Sequence, residues 1–231
     1  RTPRNQHVVY ETAGLELCLG ADGAVSAVVC GGNALPLLDL PGGFEVAEYH
    51  GAERGAQVLK PLARSGGSGP TFSYDGGELT LTVDGARAEG YLEFRGHLKD
   101  TSGRDRALIV SFALPVNAWG WTWWDDPARA RLITHGVQYA NYSFLGERRD
   151  IPISQMPYSA VSHRPTASGL ALAVPLHHPR VLRLSYSTDK GYRVEFNLGL
   201  SPATGKFPGE ATFAFIVYPC DSVWGLRSAA E

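Results

Sequence analysis

Four of the five tryptophans of this chain fall within six consecutive positions, 119 to 124. In an extended strand, alternate side chains share a face, so three of these indoles would line one face about 6.6 to 6.8 Å apart, and the fourth would lie on the other. Aromatic faces pack against the C–H surfaces of sugars, and carboxylates bond their hydroxyls. The segment therefore predicts a carbohydrate-binding group. Its members are Trp119, Trp121, Trp123, Trp124, Asp125 and Asp126.

The same rings could instead fill the space between two sheets, where each would bury about 200 Å² or more. Against this, three indoles on one exposed strand face would form an apolar patch that monomers usually avoid unless a ligand covers it. The sequence leaves both interpretations open.

A second group of rings and amides begins at Tyr139 and adds Asn141 and Tyr142 to the predicted carbohydrate-binding residues. In the charge run that follows, Arg148 or Arg149 could bind a ligand carboxylate with two parallel hydrogen bonds. An ordinary loop with solvated charges would have the same composition.

No residue pattern identifies a catalytic centre. Glycoside hydrolysis needs two carboxyl groups about 5 to 10 Å apart, and the possible members are Asp125–Asp126, Glu147–Asp150 and Glu45–Glu48. No spacing distinguishes one pair, so the catalytic residues stay unknown. His177 and His178 are adjacent and would point to opposite sides of a strand, which disfavours a shared metal ion. We expect no metal and no cofactor.

Composition excludes several classes of protein. The 231 residues are 44% apolar and 19% charged, with a net charge of −2, which is typical of a globular chain. Such a charge provides no positive field for nucleic acid. The longest apolar stretches, Gly169–Leu176 and Ala211–Val217, are under half of the roughly 20 residues of a membrane-spanning helix. We expect neither nucleic-acid binding nor membrane insertion.

The elements that must position these residues are strands. The 27 glycines and 15 prolines interrupt fourteen short apolar or alternating segments at regular intervals. This pattern predicts an all-β fold, a large two-sheet antiparallel β-sandwich. A hairpin turn at Asp22-Gly23 places Ala27 opposite Cys18 and Leu15 opposite Cys30, so the two cysteines are expected to be free thiols.

The C-terminal residues read as a short helix, with Asp221 or Ser222 as its N-cap. We expect a sandwich domain over residues 1–219 and, over 220–231, the start of a linker helix toward a further domain. A short helix that packs on its own sheet is the alternative. The chain begins with arginine, and its only methionine is Met156, so an upstream segment is expected to have been removed. We expect an extracellular or periplasmic location.

The order of segments resembles the N-terminal β-sandwich domains of large multidomain glycoside hydrolases. The resemblance rests on the hairpin Leu15–Val29, the strand that ends at Phe112–Pro115 before the tryptophans, Gly169–Pro175, and the closing Ala211–Tyr218 with Trp224–Glu231. It implies a supersandwich related in shape to galactose mutarotase, packed beside a catalytic barrel that carries the catalytic carboxylates. No catalytic residue is carried over to this chain.

Three functions follow from these observations. The first is a non-catalytic, carbohydrate-associated domain of a glycoside hydrolase, with an oligo- or polysaccharide and the catalytic domain of the same polypeptide as partners. The second is a self-contained lyase or mutarotase-like epimerase, with His135, His177 or His178 beside an acid. The third is an assembly module whose exposed aromatic residues bind another protein.

Overall fold

Antiparallel strands make up most of the regular structure. In the computed structural model, which describes residues 8–20, 22–66, 70–142 and 156–230, we find nineteen strands and three 3₁₀ helices. The all-β prediction is confirmed. The 3₁₀ helices are short: Asp75–Gly77, Arg164–Thr166 and Gly225–Ala230. No helix in these described ranges is long and apolar enough to cross a membrane.

The largest sheet has nine strands. In chain order they are β7 (Ala63–Gly66), β8 (Pro70–Tyr74), β9 (Leu79–Ala88), β10 (Tyr91–Asp100), β12 (Thr122–Asp126), β13 (Arg129–Leu132), β15 (Tyr158–His163), β16 (Ser168–Ala173) and β19 (Glu210–Pro219). Their order across the sheet is β13-β12-β15-β16-β19-β10-β9-β8-β7.

A six-stranded sheet faces it. Its strands are β5 (Gly43–Tyr49), β6 (Ala56–Val58), β11 (Arg106–Leu114), β14 (Tyr139–Tyr142), β17 (Leu182–Ser187) and β18 (Gly191–Leu200). Their order across the sheet is β14-β17-β18-β11-β5-β6.

The core lies between these two sheets. Phe94 and Phe215 project from the nine-stranded sheet, and Phe44 and Phe112 from the six-stranded one. Their ring centroids meet across the interface, at 5.6 Å for Phe94 and Phe112 and 5.0 Å for Phe112 and Phe215. Because side chains alternate along each strand, the neighbours of these rings point outward, away from the core.

A third sheet, which the two-sheet prediction did not include, is formed by the N-terminal strands. It contains β1 (Val8–Thr12), β2 (Leu15–Leu19), β3 (Val25–Cys30) and β4 (Asn33–Ala34) in sequence order. The predicted register is confirmed, with Leu15 opposite Cys30 and Cys18 opposite Ala27. Both cysteines are free thiols, as expected.

The C-terminal segment packs on the outer face of the nine-stranded sheet. Asp221 Oδ1 accepts hydrogen bonds from the backbone N–H groups of Val223 and Trp224, in the turn that precedes the helix Gly225–Ala230. The helix that follows is 3₁₀. Its Leu226 is fully buried over β15 and β16, so this segment covers one half of the outer face and leaves the half over β10 and β9 open.

Candidate functional site

The tryptophan segment is only partly a strand. β12 begins at Thr122. The preceding residues form a turn in which the Trp121 N–H donates to the Ala118 carbonyl (3.0 Å) and the Gly120 N–H donates to the Ile133 carbonyl (3.0 Å). The expected alternation of side chains therefore does not extend back to Trp119.

Trp121 and Trp123 are core residues, so the expectation of three indoles on one exposed face is wrong. Trp123 is fully buried and packs edge-on against Tyr192, with ring centroids 5.9 Å apart. Trp121 is 4% exposed and stacks on His163 at 5.3 Å. Both rings fill the space between the sheets, the alternative that the sequence left open. A ligand does not reach them.

The other two indoles differ from each other. Trp119 is 58% exposed and stacks on His135, with ring centroids 5.1 Å apart. Trp124 is half-buried on the outer face, where its indole N–H donates to Ser162 Oγ at 3.0 Å. An added Cβ at Gly225 would lie 2.3 Å from that indole nitrogen. Only glycine therefore lets the C-terminal segment pack this closely on Trp124.

The two aspartates after the indoles also separate. Asp125 is buried, and its two oxygens accept hydrogen bonds from Arg129 and Arg131. Asp126 is exposed, and its Oδ1 accepts a hydrogen bond from the Ala128 N–H at 2.7 Å, which closes the turn between β12 and β13. The Asp125 carboxylate is already neutralised by protein groups, so the expectation that it faces a glycan is wrong.

Tyr139 and Asn141 are also turned inward, contrary to a role in contacting a glycan. The buried Tyr139 hydroxyl donates to the Leu132 carbonyl at 2.7 Å. The Asn141 amide donates to the carbonyls of Met156 and Tyr158, each at 2.9 Å. Tyr142 lies in β14, and its side chain falls outside the described part of the structure, as do Glu147, Arg148, Arg149 and Asp150.

Glu45 and Glu48 do not form a catalytic pair. They are three residues apart on β5 and point to opposite faces. Glu45 pairs with Arg193 at 3.1 Å, and Glu48 pairs with the buried Arg106 at 2.7 Å. Within the described ranges, no group of three or more histidine, cysteine, aspartate or glutamate side chains is arranged to hold a metal ion.

A cleft of about 370 Å³ lies on the half of the nine-stranded sheet's outer face that the C-terminal segment does not cover. We call it the outer-face cleft. Strands β9, β10 and β19 form its floor, and the loop after β16 forms one wall. The lining residues are Asp84, Glu93, Arg95, Gly96, His97, His177, His178, Thr212, Phe213 and Ala214.

The alternation of β10 creates this floor. Leu92, Phe94 and Leu98 enter the core, so the residues between them, including Arg95 and His97, point outward. Gly96 is required by close packing from the core side, because an added Cβ there would lie 2.0 Å from the Phe213 ring.

Charged groups in the outer-face cleft are paired. Arg95 donates through Nε and Nη2 to the two oxygens of Glu93, at 3.0 and 2.9 Å. This bidentate contact raises the pKa of the Arg95 guanidinium, which stays cationic. His97 Nε2 lies 3.1 Å from Glu210 Oε2. The cleft thus presents imidazole, guanidinium and carboxylate groups in one concave surface.

His178 forms the wall of the cleft with Thr212. Its Nε2 lies 3.2 Å from the Thr212 hydroxyl, which also accepts a hydrogen bond from Arg180 at 3.2 Å. Burial, followed by the charge of Arg180, lowers the pKa of His178. The imidazole is therefore neutral at pH 7 and can exchange hydrogen bonds with uncharged hydroxyl groups.

The sequence reasoning missed most of this cleft. It named His177 and His178, but not Asp84, Glu93, Arg95, His97 or Thr212. A signal was present, since polar residues at 91, 93, 95 and 97 alternate with apolar ones along one long strand. Which of the many polar strand faces would border a cleft depends on long-range sheet order.

The sequence matches no family model and no curated protein. Solved structures with a similar fold exist. The α-galactosidase of Lactobacillus brevis has a TM-score of 0.54 and 10% identity, over 99% of this chain and 41% of that one. The Slr1438 protein of Synechocystis sp. PCC 6803 has a TM-score of 0.51 and 10% identity, over 94% of this chain and 96% of that one.

A variant of the GH36 α-galactosidase AgaA of Geobacillus stearothermophilus, solved in complex with raffinose, has a TM-score of 0.50 and 12% identity, over 96% of this chain and 41% of that one. The chain thus spans about two fifths of each α-galactosidase and nearly all of Slr1438. At these identities the likeness establishes a shared β-sandwich fold.

Proposed function

We propose that this chain is a non-catalytic, carbohydrate-binding β-sandwich domain of a glycoside hydrolase, and that it holds a saccharide in the outer-face cleft. The observation that carries the proposal is the side-chain chemistry of the cleft. Neutral His178, the Thr212 hydroxyl and the Glu93–Arg95 pair offer both donors and acceptors within one space of about 370 Å³. That volume lies in the range of small-ligand sites.

Two further points support a saccharide as the ligand. Sugar hydroxyls both donate and accept, so a cleft with mixed, paired charges suits them better than it suits an anion. The fold is shared with two α-galactosidases, one of them solved in complex with raffinose. Of the indoles predicted from the sequence, Trp119 is exposed enough to contact a saccharide, but it is not among the residues that line the outer-face cleft.

The test is a calorimetric titration with raffinose and with methyl α-D-galactopyranoside. We expect binding that Arg95→Gln and His178→Asn each weaken by about tenfold, the equivalent of one or two lost hydrogen bonds. Glu11→Gln, on the exposed β1 strand, serves as the control and should leave the affinity unchanged. Absence of binding to a broad set of glycans at millimolar concentration would contradict the proposal.

An aldose 1-epimerase is a second candidate, favoured by the imidazoles of His97, His177 and His178 beside the carboxylates of Asp84 and Glu93. Interconversion of anomers needs a base that removes the proton of the anomeric hydroxyl and an acid that protonates the ring oxygen as the C1–O5 bond opens. Polarimetry of freshly dissolved α-D-galactose distinguishes the candidates. Binding without acceleration supports the accessory domain, and acceleration that His178→Asn abolishes supports the epimerase.

A further inference from the structure

A second cleft of about 370 Å³ lies on the opposite side of the sandwich, on the outer face of the six-stranded sheet. We propose that it binds one sugar ring of a neutral oligosaccharide. The inference rests on the proposed function, because it takes the same class of ligand. We call this space the Tyr49 cleft. Its lining residues are Tyr49, Ala107, Leu108, Ile109, Asn197, Leu198 and Gly199.

Neighbouring strands β11 and β18 form its floor. Leu108 is buried in the core, so the residues on either side of it point outward. Ala107 lies opposite Gly199 in the sheet register, and Ile109 lies opposite Asn197. Two of these four floor positions, Ala107 and Gly199, therefore carry only a methyl group or no side chain, and they lie side by side.

Gly199 has no visible role in the fold. Its backbone is outside the left-handed region, and an added Cβ would meet no heavy atom within 4 Å. A glycine within a strand weakens it, and often marks a point where a ligand approaches the backbone closely. Because neither strain nor crowding requires this glycine, its missing side chain has one local effect, which is to keep the cleft deep.

The walls supply the groups that a pyranose needs. Tyr49 is 45% exposed and provides an aromatic face for the C–H surface of a sugar. Asn197 is exposed and provides an amide that can donate to and accept from hydroxyl groups. No lining residue carries a formal charge, so the cleft matches a neutral ligand.

The size of the cleft favours a sugar over a protein partner. Seven residues line it, whereas a stable protein interface takes roughly 20–30 residues from each side. The volume falls within the range of small-ligand sites.

The test is an NMR titration of the ¹⁵N-labelled chain with raffinose. In the wild type we expect shifts at the Gly199 amide and the Asn197 side-chain amide, and these should persist in an Arg95→Gln variant of the outer-face cleft. Gly199→Leu fills the Tyr49 cleft with a side chain whose Cβ meets open space, so the variant should fold and lose the shifts. Gly199→Ala, which preserves most of the volume, should retain them. Tyr49→Ala should weaken binding here by about tenfold, the cost of one lost aromatic contact.

The outcomes separate the two proposals. Shifts confined to β9, β10 and β19, or shifts at Gly199→Leu equal to those of the wild type, would overturn the Tyr49 cleft and leave the outer-face cleft intact. Shifts confined to the Tyr49 cleft would support this inference and contradict binding in the outer-face cleft. A wild-type spectrum without shifts would overturn the inference for the Tyr49 cleft, and the titration with a broad set of glycans would then decide on the outer-face cleft.

Discussion

The Thr212 hydroxyl oxygen lies 3.2 Å from Nε2 of His178, across the wall of the outer-face cleft. Arg180 can only donate, so the hydroxyl oxygen accepts from it at 3.2 Å. The second lone pair and the proton of the hydroxyl leave it able to accept from His178 or to donate to it. A neutral His178 has one N–H donor and one acceptor nitrogen in either tautomer, so the nitrogen that does not face Thr212 can exchange a hydrogen bond with an uncharged ligand.

We predict that His178 titrates below the ordinary histidine pKa of about 6.5. Burial and the nearby Arg180 charge lower its pKa in the folded chain. The unfolded chain then binds more protons below about pH 6.5, so His178 makes the folded state less stable as the pH falls through that region. An imidazole ¹H–¹³C NMR titration measures this pKa directly.

Arg180→Gln is the matched variant for that titration. Removal of the guanidinium should raise the His178 pKa toward the ordinary value, and His178→Asn identifies the resonance. A wild-type His178 that titrates at or above 6.5 would show that burial and the Arg180 charge do not control its pKa.

Trp119 and Trp123 should respond very differently to truncation. Trp123 is fully buried between the sheets, so Trp123→Ala leaves a large cavity and should lower the free energy of unfolding by about 3–5 kcal/mol. Trp119 is 58% exposed, and Trp119→Ala should change the free energy of unfolding by less than about 1 kcal/mol. Urea unfolding followed by circular dichroism measures both. Equal losses would show that the turn around Trp119 depends on its ring.

Asp125→Asn should reduce stability without altering saccharide affinity. The buried carboxylate binds Arg129 and Arg131, and loss of its charge weakens two charge-assisted hydrogen bonds, at a cost of about 1–3 kcal/mol. Asp126→Asn is the control, since asparagine caps a turn almost as well as aspartate. A calorimetric titration with raffinose measures the affinity, and urea unfolding measures the stability. If Asp125→Asn binds more weakly but is as stable as the wild type, Asp125 contacts the ligand.

The sequence predicts local pairing well. The Asp22-Gly23 turn set the register of β2 and β3, so the residues opposite Cys18 and Cys30 could be named in advance. Such predictions succeed because a tight turn leaves few ways to pair two short strands.

Other features depend on contacts that local pattern does not encode. The segment Thr134–Tyr139 is irregular until its last residue, where β14 begins. The Tyr139 hydroxyl accepts a hydrogen bond from the Thr134 N–H across this turn. The outer-face cleft joins the β9–β10 hairpin to β19 and to the loop after β16, which are distant from that hairpin in sequence. Alternation places Trp121 and Trp123 on the same face of an extended segment. It does not say whether that face is buried or exposed, because this depends on where the opposing sheet packs.

Two glycines with opposite surroundings give the last prediction. At Gly96 an added Cβ would lie 2.0 Å from the buried Phe213 ring, whereas at Gly199 it would meet nothing within 4 Å. Gly96→Ala should therefore cost about 1–3 kcal/mol of stability through overpacking. Because Arg95 and His97 flank Gly96 on the same strand, the shift should also weaken saccharide binding in the outer-face cleft. Gly199→Ala should leave stability unchanged or raise it by about 0.5–1 kcal/mol. Urea unfolding measures the free energy of unfolding of both variants. If Gly96→Ala is as stable as Gly199→Ala, the core beneath the cleft can rearrange to accommodate the added methyl group.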